Sequence, residues 1–136
     1  MKNKPNNGKL IMINKNKEIG GTHYSDMPIE PIELIEVFNL DFIQGCIVKY
    51  ISRYNKKNGI EDLEKALHYC KIGIKRFDRT ENYIELNPRN SLIVKMYCMI
   101  NGLSDFENMI IGYAISNNYE KCANEISNLI LRKESV

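Results

Sequence analysis

The sequence contains no apolar run near the ~20 residues a membrane-spanning helix needs, so no membrane segment is expected. Its amino-terminal stretch MKNKPNNGKLIMINKNK carries lysines, but the apolar piece "LIMI" is too short for a signal peptide. The expected location is therefore cytoplasmic. The cysteines Cys46, Cys70, Cys98 and Cys122 form no CxxC pair and no cluster with histidine, which argues against a zinc site. Each lies in an apolar helical stretch, so reduced core thiols are expected. There is no GxxxxGK[ST], and hence no P-loop phosphate cradle. A net charge of +2 gives no strong global field toward nucleic acid or a membrane. No DNA or RNA partner is expected, and any basic character must be local.

What is present suits one domain with a real core: 136 residues, 43% of them apolar and 26% charged. Residues 1–20 read as a tail, with a short β element over about 9–19 ("KLIMI", then "NKNK"). "GGTHYSDMPIEP" is loop by its glycine and proline content, and Pro31 suits the first turn of a helix over about 31–38. Asn39 or Asp41 can cap a helix over about 41–55 that carries Phe42, Ile43, Cys46, Ile47, Tyr50 and Tyr54 at helical spacing.

Asn58 and Gly59 break that helix, and Glu61 and Asp62 suit the first turn of the next one. There Leu63, Ala66, Leu67, Cys70, Ile74 and Phe77 predict one buried stripe. The short connection predicts antiparallel packing of the pair. After the break "ENYIELNPRN", helices are predicted over about 91–101, 105–116 and 118–133, with Ser104 and Glu107 as a capping box. The fold class is mainly α, a compact bundle of about five or six helices. Residues 21–79 form a helical-hairpin core, and 80–136 a helical region that packs on it or forms an oligomer interface.

The chemistry concentrates in "KYISRYNKKNGIEDLEKALHYC", residues 49–70. Lys49, Arg53, Lys56 and Lys57 come with no acid between them. At helical spacing Lys49, Arg53 and Lys56 share a face, and Lys49 can flank a shallow groove with Lys65 from the following helix. Arginine grips phosphate at two points, lysine supplies point charge, and tyrosine such as Tyr69 can stack on a base. Asn58 and Gly59 can offer donors at a helix start, and Glu61 or Asp62 can hold Arg53 in position. The plainer reading is a solvated charged hairpin, in which Tyr50 and Tyr54 pack and His68 is a surface residue.

The motif "HY" at His23-Tyr24, "KY..RY" from Lys49 to Tyr54 and "KNGIEDLEKA..Y" from Lys57 to Tyr69 resembles a widespread bacteriophage family long catalogued as of unknown function. The resemblance covers about residues 21–75, and residues 80–136 depart from it. One relative is a small nucleotide kinase of a lytic coliphage that works without a P-loop. The resemblance implies a phage protein that handles nucleotides. It places His23, Tyr24, Lys49, Arg53, Lys57, Asn58, Lys65 and Tyr69 at motif positions, with Glu61 and Asp62 as supporting acids and Lys56 added from the charge pattern.

Binding and sequestration of a host nucleotide immune signal, of cyclic dinucleotide or cyclic ADP-ribose type, is the preferred expectation. It needs phosphate grips and aromatic faces but no cofactor, and an oligomer can complete its pockets. The alternative is a deoxynucleoside monophosphate kinase, in which Lys49, Arg53 and Lys65 neutralise charge and Asp62 or Glu61 positions magnesium. An all-α magnesium-dependent pyrophosphohydrolase is a third reading, on Glu33-x-x-Glu36 and Glu61-x-x-Glu64. A protein-binding module using "LIVKMYCMI" is a further one. On the nucleotide reading, charge reversal at Lys49 or Arg53 is expected to abolish binding and leave stability nearly unchanged.

Overall fold

The computed structural model describes residues 27–77 and 84–135. The expected β element at 9–19, and His23 and Tyr24, lie outside these residues. The described residues form six α-helices and no strand: α1 (Pro31–Phe38), α2 (Phe42–Arg53), α3 (Ile60–Phe77), α4 (Pro88–Ile100), α5 (Asp105–Ile115) and α6 (Tyr119–Glu134). A single 3-10 turn, Tyr54–Lys56, follows α2.

Local sequence explains most boundaries. Pro31 begins α1 behind Glu30, whose N–H donates to Glu33 Oε2 at 2.9 Å. Asn39 ends that helix in the left-handed conformation, so the cap of α2 is Asp41 alone. Asp41 Oδ1 accepts from the Gln44 N–H at 2.8 Å while Gln44 Oε1 accepts from the Asp41 N–H at 3.0 Å. Gln44 does more than cap: its Nε2 donates to the Ala114 carbonyl at 3.0 Å and to Asn117 Oδ1 at 3.1 Å, fastening the start of α2 to the end of α5. The start of α4 differs from the expectation of 91. Asn87 caps it and Pro88 opens it, so "NPRN" is a helix start rather than wholly a break. Ser104 and Glu107 form the expected capping box on α5.

One apolar core draws on all six helices, from Leu34 on α1 through Ile47, Ile51, Leu63, Cys70, Val94 and Ile111 to Ile126 on α6. All four cysteines are buried and unbridged, and Cys70, Cys98 and Cys122 belong to this core. Phe77 departs from the predicted stripe: it is partly exposed at the end of α3 and stacks on Tyr119, ring centroids 5.9 Å apart. In its place Gly73 is buried, because α3 and α6 approach closely there. A Cβ on Gly73 would lie 2.6 Å from the Tyr119 ring. The run "LIVKMYCMI" is divided between two faces of α4. Val94, Tyr97 and Cys98 point inward, whereas Leu92, Met96, Met99 and Ile100 are exposed at positions that share the outer face.

The far end of the bundle is held by Glu107, which is almost wholly buried. Tyr54 donates its hydroxyl to Glu107 Oε2, and Ser104 donates both its N–H and its hydroxyl to Oε1. Burial pushes this carboxyl up, but the hydrogen bonds from Ser104 and Tyr54 outweigh it and hold the carboxyl below its ordinary value.

These contacts set the expected stability of three variants. Gly73→Val should destabilise by about 1–3 kcal/mol in urea melts, through overpacking against Tyr119. Gly112→Ala should be tolerated, since its nearest neighbour would be Leu86 Cδ1 at 3.8 Å. Glu107→Gln should destabilise by about 1–3 kcal/mol at neutral pH. A depressed folded-state pKa gives stability that is present above the unfolded value, near 4.5, and is lost as pH falls through the folded one. The difference between wild type and variant should therefore shrink in melts recorded below about pH 4.5.

Candidate anion-binding site

α2 and α3 run antiparallel, as cross-contacts show: Arg53 meets Asp62, Tyr50 meets Lys65, and Phe42 meets Tyr69. The connection between them is set by backbone geometry. Gly59 has φ +58°, and its N–H donates to the Tyr54 carbonyl at 2.8 Å. That amide is used within the turn and is not offered to a ligand. The Asp62 N–H likewise donates to the Gly59 carbonyl at 3.1 Å.

The hairpin's central interaction is an ion pair. Arg53 Nε donates to Asp62 Oδ2 at 3.1 Å and Nη2 to Asp62 Oδ1 at 3.3 Å, a two-point grip. Asp62 is 0% exposed and the Arg53 side chain 11%. Of the two acids named from sequence, Asp62 is thus the one that holds Arg53. Glu61 is exposed and pairs with Lys65 instead, Nζ–Oε2 3.5 Å, while Lys65 Nζ lies 4.0 Å from Asp62 Oδ1.

Above this pair lies the Tyr50 ring. Lys49 Nζ is 4.6 Å from its centroid, the Arg53 guanidinium carbon 4.9 Å and Lys65 Nζ 5.6 Å. Tyr69 stacks on Tyr50, centroids 6.2 Å apart and planes 16° from parallel. Phe42 meets Tyr69 edge-on at 5.9 Å and is itself 74% exposed; His68 also meets Tyr69 edge-on, at 5.4 Å. A cavity of about 260 Å³ between α1 and α2 adjoins Lys49 and Phe42, with Ile35, Gly45 and Cys46 in its wall. The arrangement offers positive charge at one end and a partly open aromatic row at the other. It supplies no activated thiol, because burial pushes the Cys46 thiol up despite Lys49 nearby.

The sequence-predicted residues divide into three groups. Lys49, Arg53, Asp62, Lys65 and Tyr69 come together. Lys56, Lys57 and Asn58 are exposed in the turn, and neither lysine forms an ion pair among the described residues. Lys56 was expected on the face of Lys49 and Arg53. The helix tightens to 3-10 winding at Tyr54, and the register that would have aligned Lys56 is lost. His23 and Tyr24 lie outside the described residues. Tyr50 packs against the core and on Tyr69, as expected, and its ring is also the centre of the cation cluster. The i, i+3 spacing from Tyr50 to Arg53 was the available signal, but the approach of Lys65 depends on α3. For the pyrophosphohydrolase reading, Glu33 is engaged in the cap of α1. Among the described residues no three of His, Cys, Asp and Glu gather as a metal site.

The ion pair corrects the expectation that Arg53 can be reversed without cost to the fold. Arg53→Met would leave the buried Asp62 carboxylate with only the half-exposed Lys65 ammonium, 4.0 Å away, as counter-charge, a loss approaching roughly 3–5 kcal/mol. The double variant Arg53→Met/Asp62→Leu should recover most of it in urea melts, since an apolar pair of similar volume needs no counter-charge. Equal loss in single and double variants would show that the pair is not what the hairpin rests on.

No curated protein and no solved structure matches the chain. Residues 17–71, which take in α1, α2 and most of α3, match the model of a family described as a protein of unknown function (DUF3310).

Proposed function

We propose that the α2–α3 face binds a phosphate-bearing nucleotide and that the protein acts by sequestering it. The observation that carries this reading is the gathering of Lys49, Arg53 and Lys65 within 5.6 Å of one tyrosine ring. Like charges brought together repel, and Asp62 and Glu61 offset only part of that charge. A phosphate placed over the cluster would complete the balance. Arg53 is committed to Asp62, so its role is to brace the hairpin, and Lys49 and Lys65 are the phosphate grips. Lys49 makes no ion pair among the described residues. The exposed Phe42 ring and the Tyr69 ring are the natural support for a base.

The choice of ligand, a nucleotide immune signal of an infected bacterial host, rests on the resemblance to the phage family together with the binding groups present. The outer stripe of α4, Leu92, Met96, Met99 and Ile100, supports assembly of several copies. The competing kinase reading uses the same cations and differs in whether product forms.

The test is a mixing experiment with excess protein and a panel of cyclic dinucleotides, cyclic ADP-ribose isomers, and deoxynucleoside mono- and triphosphate pairs with magnesium. After filtration and heat denaturation, released nucleotides are identified by mass spectrometry. Sequestration predicts that one compound leaves the filtrate and returns intact on heating. Lys49→Glu should weaken uptake by about tenfold or more without altering the melting curve. A new phosphorylated product would replace sequestration by catalysis, and no depletion of any compound would overturn the nucleotide reading.

A further inference from the structure

A second group of cations and aromatic rings lies across the 3-10 turn from Arg53, built from α5, α6 and the turn itself. The Arg132 guanidinium carbon lies 4.2 Å from the centroid of Phe106. Lys133 Nζ is 5.4 Å from the Tyr54 centroid and 3.5 Å from Asn55 Oδ1. Neither cation forms an ion pair among the described residues. Their place in the last turn of α6 agrees with the helix dipole, but the dipole alone does not explain why both lie over rings.

Two hollows flank this group, one of about 450 Å³ reaching Tyr54, Asn55 and Lys133, the other of about 400 Å³ reaching Asn128 and Leu131. Phe106, Leu129 and Arg132 border both, so the hollows are halves of one groove crossed by the Arg132–Phe106 stack.

We propose that this groove is a second ligand site, for a small molecule carrying an oxyanion on a flat apolar body, such as an aryl phosphate or aryl carboxylate. A guanidinium stacked on a ring keeps its in-plane N–H donors available, and these match the oxygens of a phosphate or carboxylate. Lys133, steadied by Asn55, supplies the second charge. Leu129 and the Phe106 ring, 41% exposed, receive the apolar body. Two acids border the groove and give it direction. Glu107 lies in the wall of the first hollow and faces Arg132 and Lys133 across it, but its carboxylate is buried and covered by the hydroxyls of Tyr54 and Ser104. Glu125 borders only the second hollow, where Lys133 is absent. The oxyanion therefore belongs at the Arg132–Lys133 end. None of these residues takes part in the Lys49 cluster, so this site stands or falls separately from the nucleotide site.

The test is a titration of the whole chain with phenyl phosphate, followed by backbone amide NMR shifts. Saturable shifts at Phe106, Arg132 and Lys133 are expected. Arg132→Gln should weaken binding by about tenfold, and Lys71→Gln, a change of equal charge on α3, should leave it unaltered. Benzoate in place of phenyl phosphate distinguishes a carboxylate preference from a phosphate one. Inorganic phosphate and benzyl alcohol should each bind more weakly than the joined molecule. The proposal is overturned if those amides do not shift, if the shifts persist in both Arg132→Gln and Lys133→Gln, or if inorganic phosphate alone binds as tightly.

Discussion

A carboxylate without water around it must find a cation or give up its charge, and Asp62 meets that constraint through Arg53. The requirement is severe because Asp62 is 0% exposed at the first turn of α3, where the chain has just reversed at Gly59. Arg53 must therefore lie across the start of α3, and this fixes the register of α2 against α3. Once that register is set, Tyr50 stacks on Tyr69, Lys65 arrives beside Tyr50, and Lys49 sits on the same ring. The candidate site is thus a consequence of how one buried charge is satisfied. Its cations differ in kind: Arg53 belongs to the fold, while Lys49 and Lys65 are more accessible.

At the opposite side of the same turn the solution is different. Glu107 is also buried, but its partners are hydroxyls and an N–H rather than a cation. A carboxylate satisfied by neutral donors leaves neighbouring cations uncommitted, and Arg132 and Lys133 rest on aromatic faces instead. The 3-10 turn joins the two arrangements, since Arg53 immediately precedes it and Tyr54 begins it. Gln44 performs a comparable linking task at the start of α2, serving its own helix cap and the carboxyl end of α5 together.

The legibility of the sequence followed the range of the interactions involved. Capping by Asp41 and by Ser104 with Glu107, the proline at the start of α1, and the glycine turn at Gly59 all act over a few residues, and each could be read directly. The inward positions Leu63, Ala66 and Cys70 were readable from helical period. The division of "LIVKMYCMI" into inner and outer faces was not, because a run that is apolar but for Lys95 carries little periodic signal. Nor was Gly73 readable as a contact, since its reason is the Tyr119 ring on α6. Lys56 was misplaced for a local reason that composition does not reveal: the helix tightened before reaching it.

The sequence by itself determined the helices, most of their ends, the hairpin, and the neighbourhood of Lys49, Arg53, Asp62 and Lys65. Periodicity, caps and turn residues encode these over short separations along the chain. Tertiary structure alone decided that Asp62 is buried, that Tyr50 is the ring on which three cations meet, and that Phe106, Arg132 and Lys133 frame a groove beside Tyr54. Those outcomes depend on which helix faces which, and on the charges that packing removes from water, which no spacing within a single helix can specify.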